Sequence, residues 1–160
     1  MGAGLAGWST AREFRKRVAI SPVLLITADR GDFYAKPSLS NAFAQGHTPA
    51  QLVSTPAAKM AQTHNVTLMA HTRALAIDPV RRFVTTSGGE LAYRDLVLAT
   101  GAQAIRVPIA GNAADQVLSV NSLQDFEIFH TRVASAHNAE NDSKHIVIMG
   151  AGLIGCEFAN

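Results

Sequence analysis

The chain of 160 residues is short of several things, and each shortage removes a class of function. It holds one cysteine, Cys156, which excludes an internal disulfide and any multi-cysteine metal site. A lone thiol of this kind reads as a small buried residue with no catalytic role, and it is compatible with a reducing, cytoplasmic setting. Charge is scarce as well: 16% of residues are charged and the net charge is +2. The only basic tract, Arg12-Glu13-Phe14-Arg15-Lys16-Arg17, reads on a helix as a solvated face, so no nucleic-acid partner is expected. The longest apolar run, residues 146–156, is too short to cross a bilayer. The opening "MGAGLA" lacks a basic n-region, and Ala6 stands where N-myristoylation needs a hydroxyl. His64 and His71, like His130 and His137, are seven apart, not at metal-ligand spacing, and no G-x-S-x-G elbow occurs. Metal hydrolysis and serine chemistry are therefore unsupported.

What is present is a sizeable apolar fraction, 48%, and a glycine pattern that occurs twice. Gly2, Gly4 and Gly7 stand in "GAGLAG" near the start, and Gly150, Gly152 and Gly155 stand in "GAGLIG" near the end. Both are spaced G-x-G-x-x-G. A pyrophosphate needs backbone N–H donors at close range. The first glycine makes the turn, the second removes a side chain that would block the phosphates, and the third lets helix and strand approach. The helix N-terminus then adds about half a positive charge.

The first copy is followed by helical spacing at Gly7, Ala11, Phe14 and Val18, a break at Ser21-Pro22, a buried parallel strand "VLLIT" and Asp29. Asp29 lies where a carboxylate can reach ribose hydroxyls; the plainer reading is a loop acid. The second copy has its strand, "HIVIM", in front. Alone, each glycine match is weak. Together, with the order strand, loop, helix, strand and acid, they predict two dinucleotide sites and hence an electron relay, since a nicotinamide can hand hydride to a neighbouring flavin.

Between the two copies the pattern is less regular. A short helix begins near Pro37, and Thr48-Pro49 and Thr55-Pro56 each place a capping hydroxyl before a proline at the first helical position. The second of these opens a helix over residues 56–64. Strands follow at "NVTLMA", residues 74–77, 82–86 and 91–93, with turns at Asp78-Pro79 and Gly88-Gly89, and a buried strand at 96–99. Ser122 and Asp125 suit a capping box for a helix to about residue 136, ahead of the polar loop "HNAENDSK".

The pieces "GAGLAGWSTAREFRK", "PVLLITAD", "YAKPSLS", "HTRALAID", "YRDLVLATGA", "IRVPIAG" and "GAGLIGCEFAN" fall in order over essentially the whole chain. In this the chain resembles the two-dinucleotide-domain flavoprotein reductases, in particular their rubredoxin–NAD reductase branch. The resemblance implies an α/β fold, the Rossmann-like FAD/NAD(P)-binding fold of that group, here incomplete. A partial FAD-binding domain would occupy residues 1–108. A linker and the start of an NAD(H)-binding domain would occupy 109–160.

It implies FAD and NADH as cofactors and rubredoxin, or a similar small iron carrier, as electron acceptor. Gly2, Ala3, Gly4, Leu5 and Ala6 would line the FAD pyrophosphate, Thr27, Ala28 and Asp29 would flank the adenosine ribose, and Lys36 would be a basic FAD contact. Ala74 would offer backbone groups to the adenine, and Thr100 and Gly101 would pass close to FAD. Gly150, Gly152, Leu153, Ile154 and Gly155 would receive the NADH pyrophosphate, with Glu157 near flavin and nicotinamide. Plainer alternatives stand beside these: Lys36 as a surface lysine, and Glu157 as an acid that favours its helix terminus.

The chain also departs from the group. The stretch "KPSLSNAF" lacks the redox cysteine pair of related disulfide reductases, so a flavin here would pass electrons singly to an external carrier. Asn41 replaces a lysine found beside the flavin in some relatives. One residue precedes Gly2 where a whole strand is expected, and the rest of the NADH domain and the returning "GD" segment are absent. The chain is therefore expected to be an internal piece of a longer reductase that does not turn over NADH alone. The other expectations are a reductase for a ferredoxin or oxygenase component, and a non-catalytic nucleotide-binding remnant.

Overall fold

The structure, a computed structural model, describes residues 1–137 and 145–160. Helix α1, Leu5–Arg17, starts directly after the first glycine loop. Its run of Ala, Arg, Lys and Glu favours helix, and Glu13 carries a salt bridge to Lys16 at 2.8 Å. The helix ends at Arg17, ahead of the Ser21-Pro22 break. Arg15 ties that end down, its guanidinium donating to the carbonyls of Val18 (3.0 Å), Ser21 (2.7 Å) and Asn65 (2.6 Å). The buried face consists of Gly7, Trp8 and Ala11. Trp8 is the addition that the Gly7–Ala11–Phe14 spacing did not single out, and it is 1% exposed.

Strand β1, Leu24–Ile26, follows, then β2, Phe33–Tyr34, a 3-10 turn at Lys36–Ser38 and helix α2, Leu39–Ala42. Strand β3, Val53–Thr55, pairs antiparallel with β2. Helix α3 covers Ala57–Thr63. It starts one residue later than expected, because Pro56 is the N-cap, and its first amide is capped from a distance. The Ala57 N–H donates to Asp32 Oδ1 at 2.9 Å, so Thr55 is not the cap. At Pro49–Leu52 the chain makes only a 3-10 turn, and Gln51 Oε1 receives both the N–H and the hydroxyl of Thr48. Asn65, at φ 47°, turns the chain out of α3 into β4, Thr67–Met69.

β4 lies parallel to β1 with Leu24 opposite Thr67 and Ile26 opposite Met69. Strands β5, Ala74–Asp78, β6, Phe83–Thr86, and β7, Gly89–Ala92, form an antiparallel meander in that order. Helix α4, Leu123–His137, bears the expected capping box. Asp125 N–H donates to Ser122 Oγ at 3.1 Å, and the Ser122 hydroxyl donates to Asp125 Oδ2 at 2.8 Å. Ser122→Ala is expected to cost about 1 kcal/mol, read as a lower urea midpoint with unchanged slope; an unchanged midpoint would remove the cap from the account. Helix α5, Leu153–Phe158, follows the second glycine loop.

The chain divides into two units, Met1–Tyr34 with Val53–Ala102, and Ala35–Leu52 with Gln103–Asn160. In the first, Ala3, Trp8, Ala11, Leu25 and Val66 form the core, with Phe33 and Met60 packed against it. In the second, Phe126 is fully buried, and aromatic edges meet at Phe43–Phe129 (5.6 Å) and Phe129–Phe158 (5.5 Å).

Three expectations need correction. "HIVIM" is not a strand: residues 145–149 pair with nothing among the described residues, and Ile146, Val147 and Met149 are 60%, 84% and 62% exposed. Its composition suits a buried strand, but a strand needs a neighbouring ladder, and among the described residues none pairs with it. Residues 96–99 are likewise outside any sheet, with Leu98 60% exposed. Cys156 is exposed rather than buried, since α5 is covered on one side only. The polar-loop expectation falls mostly on residues 138–144, outside the described residues.

Candidate functional site

The first glycine loop is held by three backbone bonds. Gly2 N–H donates to Ile26 O, the Met1 amino group to Val97 O, and Ala99 N–H to Met1 O, each at 2.8 Å. Met1-Gly2 thereby bridges β1 and the segment 97–99. Gly2 adopts φ +95°, and a Cβ on it would lie 2.1 Å from Ala99 O and 3.2 Å from Thr100 N. Only glycine fits this site. A Cβ on Gly7 would lie 1.8 Å from Gly2 O. The helix therefore seats directly on the loop that precedes it.

Gly4 differs. It is extended (φ −72°, ψ −171°), and a Cβ on it would meet nothing within 4 Å. As the N-cap of α1 it offers no side chain to the first turn, no acid stands in that turn, and Leu5 and Ala6 are exposed. A helix start normally satisfies these donors with Ser, Thr, Asp or Asn. Among the described residues the amides of Leu5 and Ala6, at the positive end of the helix dipole, have no hydrogen-bond partner, and three basic residues stand at the other end.

The second loop repeats the first in part: unlike Gly2, Gly150 has nothing within 4 Å of an added Cβ. Gly150 has φ +118°, Gly152 is an extended N-cap (φ −79°, ψ 177°) with nothing within 4 Å of an added Cβ, and a Cβ on Gly155 would meet Gly150 O at 1.9 Å. The exposed Leu153 and Ile154 correspond to Leu5 and Ala6. The two loops lie in different units.

Around the first loop, Thr27 is buried and Asp29 half-buried at the end of β1. Asp29 Oδ1 accepts the Thr27 hydroxyl at 2.6 Å and the Gly31 N–H at 2.9 Å. The acid thus shapes the turn after β1, a role that spacing alone does not show. Trp8 Nε1 donates to Gly31 O at 2.9 Å and locks that turn to α1. Backbone bonds from His71 to Asp29 O and from Thr72 to Thr27 O hold it on the other side. Thr100 adjoins Gly2, and Gly101 (φ +69°) follows. Ala74 opens β5 opposite Thr86, in the same unit, with no bond to the loop among the described residues.

In the other unit, Lys36 is exposed in the 3-10 turn. Glu157, on α5, accepts the hydroxyl of Ser40 on α2. Ser40 was not anticipated: it stands 117 residues from Glu157, and no periodic signal connects such positions. Among the described residues no cluster of three metal-ligating side chains exists, and no helix is long and apolar enough to cross a membrane. An apolar hollow of about 800 Å³, lined by Met1, Phe14, Leu24, Val84, Leu91 and Val97 among others, lies beside β1.

A family model described as pyridine nucleotide-disulphide oxidoreductase matches residues 1–160. The chain belongs to that family. Curated relatives include a nitric oxide reductase FlRd-NAD(+) reductase of Aeromonas salmonicida, 40% identical over 99% of this chain and 39% of its own length. A rubredoxin-NAD(+) reductase of Acinetobacter baylyi is 40% identical over the whole chain and 40% of its own length. Among solved structures, a ferredoxin reductase from Rhodopseudomonas palustris superposes with a TM-score of 0.81 at 33% identity, over 99% of this chain and 37% of that one. The fold class is thus the α/β fold of the FAD/NAD(P)-binding reductases, and the chain spans about 40% of the length of its curated relatives.

Proposed function

We propose that the protein to which this chain corresponds is an FAD-dependent NADH reductase that passes electrons to rubredoxin or a similar small iron carrier in the cytoplasm. The observation that carries the proposal is the pair of loops: each has a positive-φ first glycine, an open extended N-cap glycine, and a third glycine packed against the carbonyl of the first too closely for any side chain. That arrangement fits a diphosphate twice over, as an electron relay between two nucleotides needs. The rubredoxin-NAD(+) reductase relative supports the choice of acceptor.

In this proposal the Leu5 and Ala6 amides, reached past Gly2, Ala3 and Gly4, bind the FAD pyrophosphate. The turn built by Thr27, Ala28 and Asp29 meets the ribose, and Ala74 offers its backbone to the adenine. Thr100 and Gly101 pass close to FAD, and Lys36 contributes a cation. Gly150, Gly152 and Gly155 open the way for the Leu153 and Ile154 amides to bind the NADH pyrophosphate, and Glu157 stands at the nicotinamide end. FAD, when bound, takes a hydride from NADH and releases electrons one at a time. Residues 1–108 form the FAD-binding part, and 109–160 the linker and the opening of the NAD(H)-binding part.

The test is flavin retention. Purified chain incubated with FAD and then gel-filtered is expected to stay yellow, and a colourless protein would overturn the FAD site. With FAD and NADH supplied, the 160-residue chain is expected not to reduce a dye, because α5 offers the second nucleotide only a six-residue helix; measurable turnover would contradict this. A ferredoxin as acceptor is the second reading, favoured by the 33% identity to a ferredoxin reductase. Faster reduction of a ferredoxin than of rubredoxin by a protein carrying the remaining domains would select it.

A further inference from the structure

We infer that Ser40 is a positioning residue for Glu157, holding its carboxylate at the opening of the second glycine loop. This deepens the proposed nucleotide site and rests on it.

Ser40 is 6% exposed, and its Oγ lies 3.2 Å from Pro37 O as well as against Glu157 Oε2. A hydroxyl has one proton to give. Of the two acceptors the ionised carboxylate is the stronger, so the proton lies toward Glu157, while Pro37 O limits the other orientations of the hydroxyl. Ser40 is itself fixed. The preceding 3-10 turn is closed by Ser38 N–H to Ala35 O at 2.9 Å, and the neighbouring Leu39 and Ala42 are 3% and 0% exposed.

Glu157 is five residues beyond the N-cap Gly152. Helical side chains lean toward the N-terminus, so its carboxylate is carried back toward the turn that holds Leu153 and Ile154. Among the described residues no lysine or arginine pairs with it, and the residue after Ser40 is the uncharged Asn41. A neutral hydroxyl therefore does the orienting. Oε2 is engaged, and among the described residues Oε1 has no protein donor. It is left as an acceptor for a ligand N–H or O–H, of the kind a ribose or carboxamide presents.

The experiment is a double-mutant cycle in the 160-residue chain with NADH as probe, followed by its fluorescence. Ser40→Ala is expected to weaken NADH binding about five- to twentyfold. In a Glu157→Gln background the same change is expected to alter binding less than about twofold, because Ser40 acts through the carboxylate. Ser40→Thr, which keeps the hydroxyl, is expected to restore most of the affinity. An equal loss in both backgrounds would overturn the inference, whatever happens to stability. If the unmodified chain binds no NADH, the nucleotide reading fails, and the pair is judged by urea unfolding of the same four proteins. Non-additive midpoints then keep Ser40 coupled to Glu157, and additive ones overturn it.

Discussion

Gly7→Ala is expected to destabilise the first unit strongly, whereas Gly4→Ala is expected to leave it nearly as stable and strip it of flavin. The same methyl group is added three residues apart, and the surroundings decide the outcome. At Gly7 it would sit 1.8 Å from Gly2 O, a backbone atom fixed by the Gly2–Ile26 bond. The helix must move off the loop, at about 3 kcal/mol or more, against a typical total stability of ~5–15 kcal/mol. Better helix propensity returns only about 1 kcal/mol. At Gly4 the methyl meets nothing, and extended backbone suits alanine, so stability falls by about 1 kcal/mol or less. The methyl then projects into the space over the bare amides. Circular dichroism during urea unfolding reads the first effect and flavin retention reads the second. A Gly7→Ala protein with the parent midpoint, or a Gly4→Ala protein that keeps its flavin, would break the argument.

Trp8→Ala carries the second large effect. The indole is 1% exposed, in the core with Ala3, Leu25 and Val66, and its N–H serves the Gly31 carbonyl. Truncation is expected to cost about 3–5 kcal/mol. Trp8→Phe keeps much of the volume but leaves the buried Gly31 carbonyl without the indole donor, at about 1–3 kcal/mol. Since Gly31 also closes the Asp29 turn, both variants should loosen that turn, with Trp8→Ala the worse of the two. Trp8 is the only tryptophan, so unfolding must be followed by circular dichroism instead of emission. Equal midpoints for the two variants would show that packing contributes nothing beyond the hydrogen bond.

Much of the fold was legible because its signals are local. The proline and asparagine stops around α3, the Ser122–Asp125 box ahead of α4 and the β5–β7 meander depend on neighbours within a few residues. The glycine loops were legible for the same reason, as each motif completes itself within seven residues. "HIVIM" failed as a strand because apolar composition records only a capacity for pairing, and pairing needs a partner from elsewhere in the chain; residues 96–99 bond, among the described residues, only through Val97 and Ala99 to Met1, which is too little for a strand. Cys156 failed because its burial depends on what covers α5.

The amino-acid sequence by itself determined where the loops, helices and the meander lie, since backbone sterics and capping act over one or two turns. Only the tertiary structure decided that Trp8 holds the Asp29 turn, that Asp32 caps α3 and that Ser40 meets Glu157. Each of these contacts joins residues 23 or more positions apart. A donor and an acceptor so far apart find each other through the packing of whole elements, and no pattern in either neighbourhood records the other.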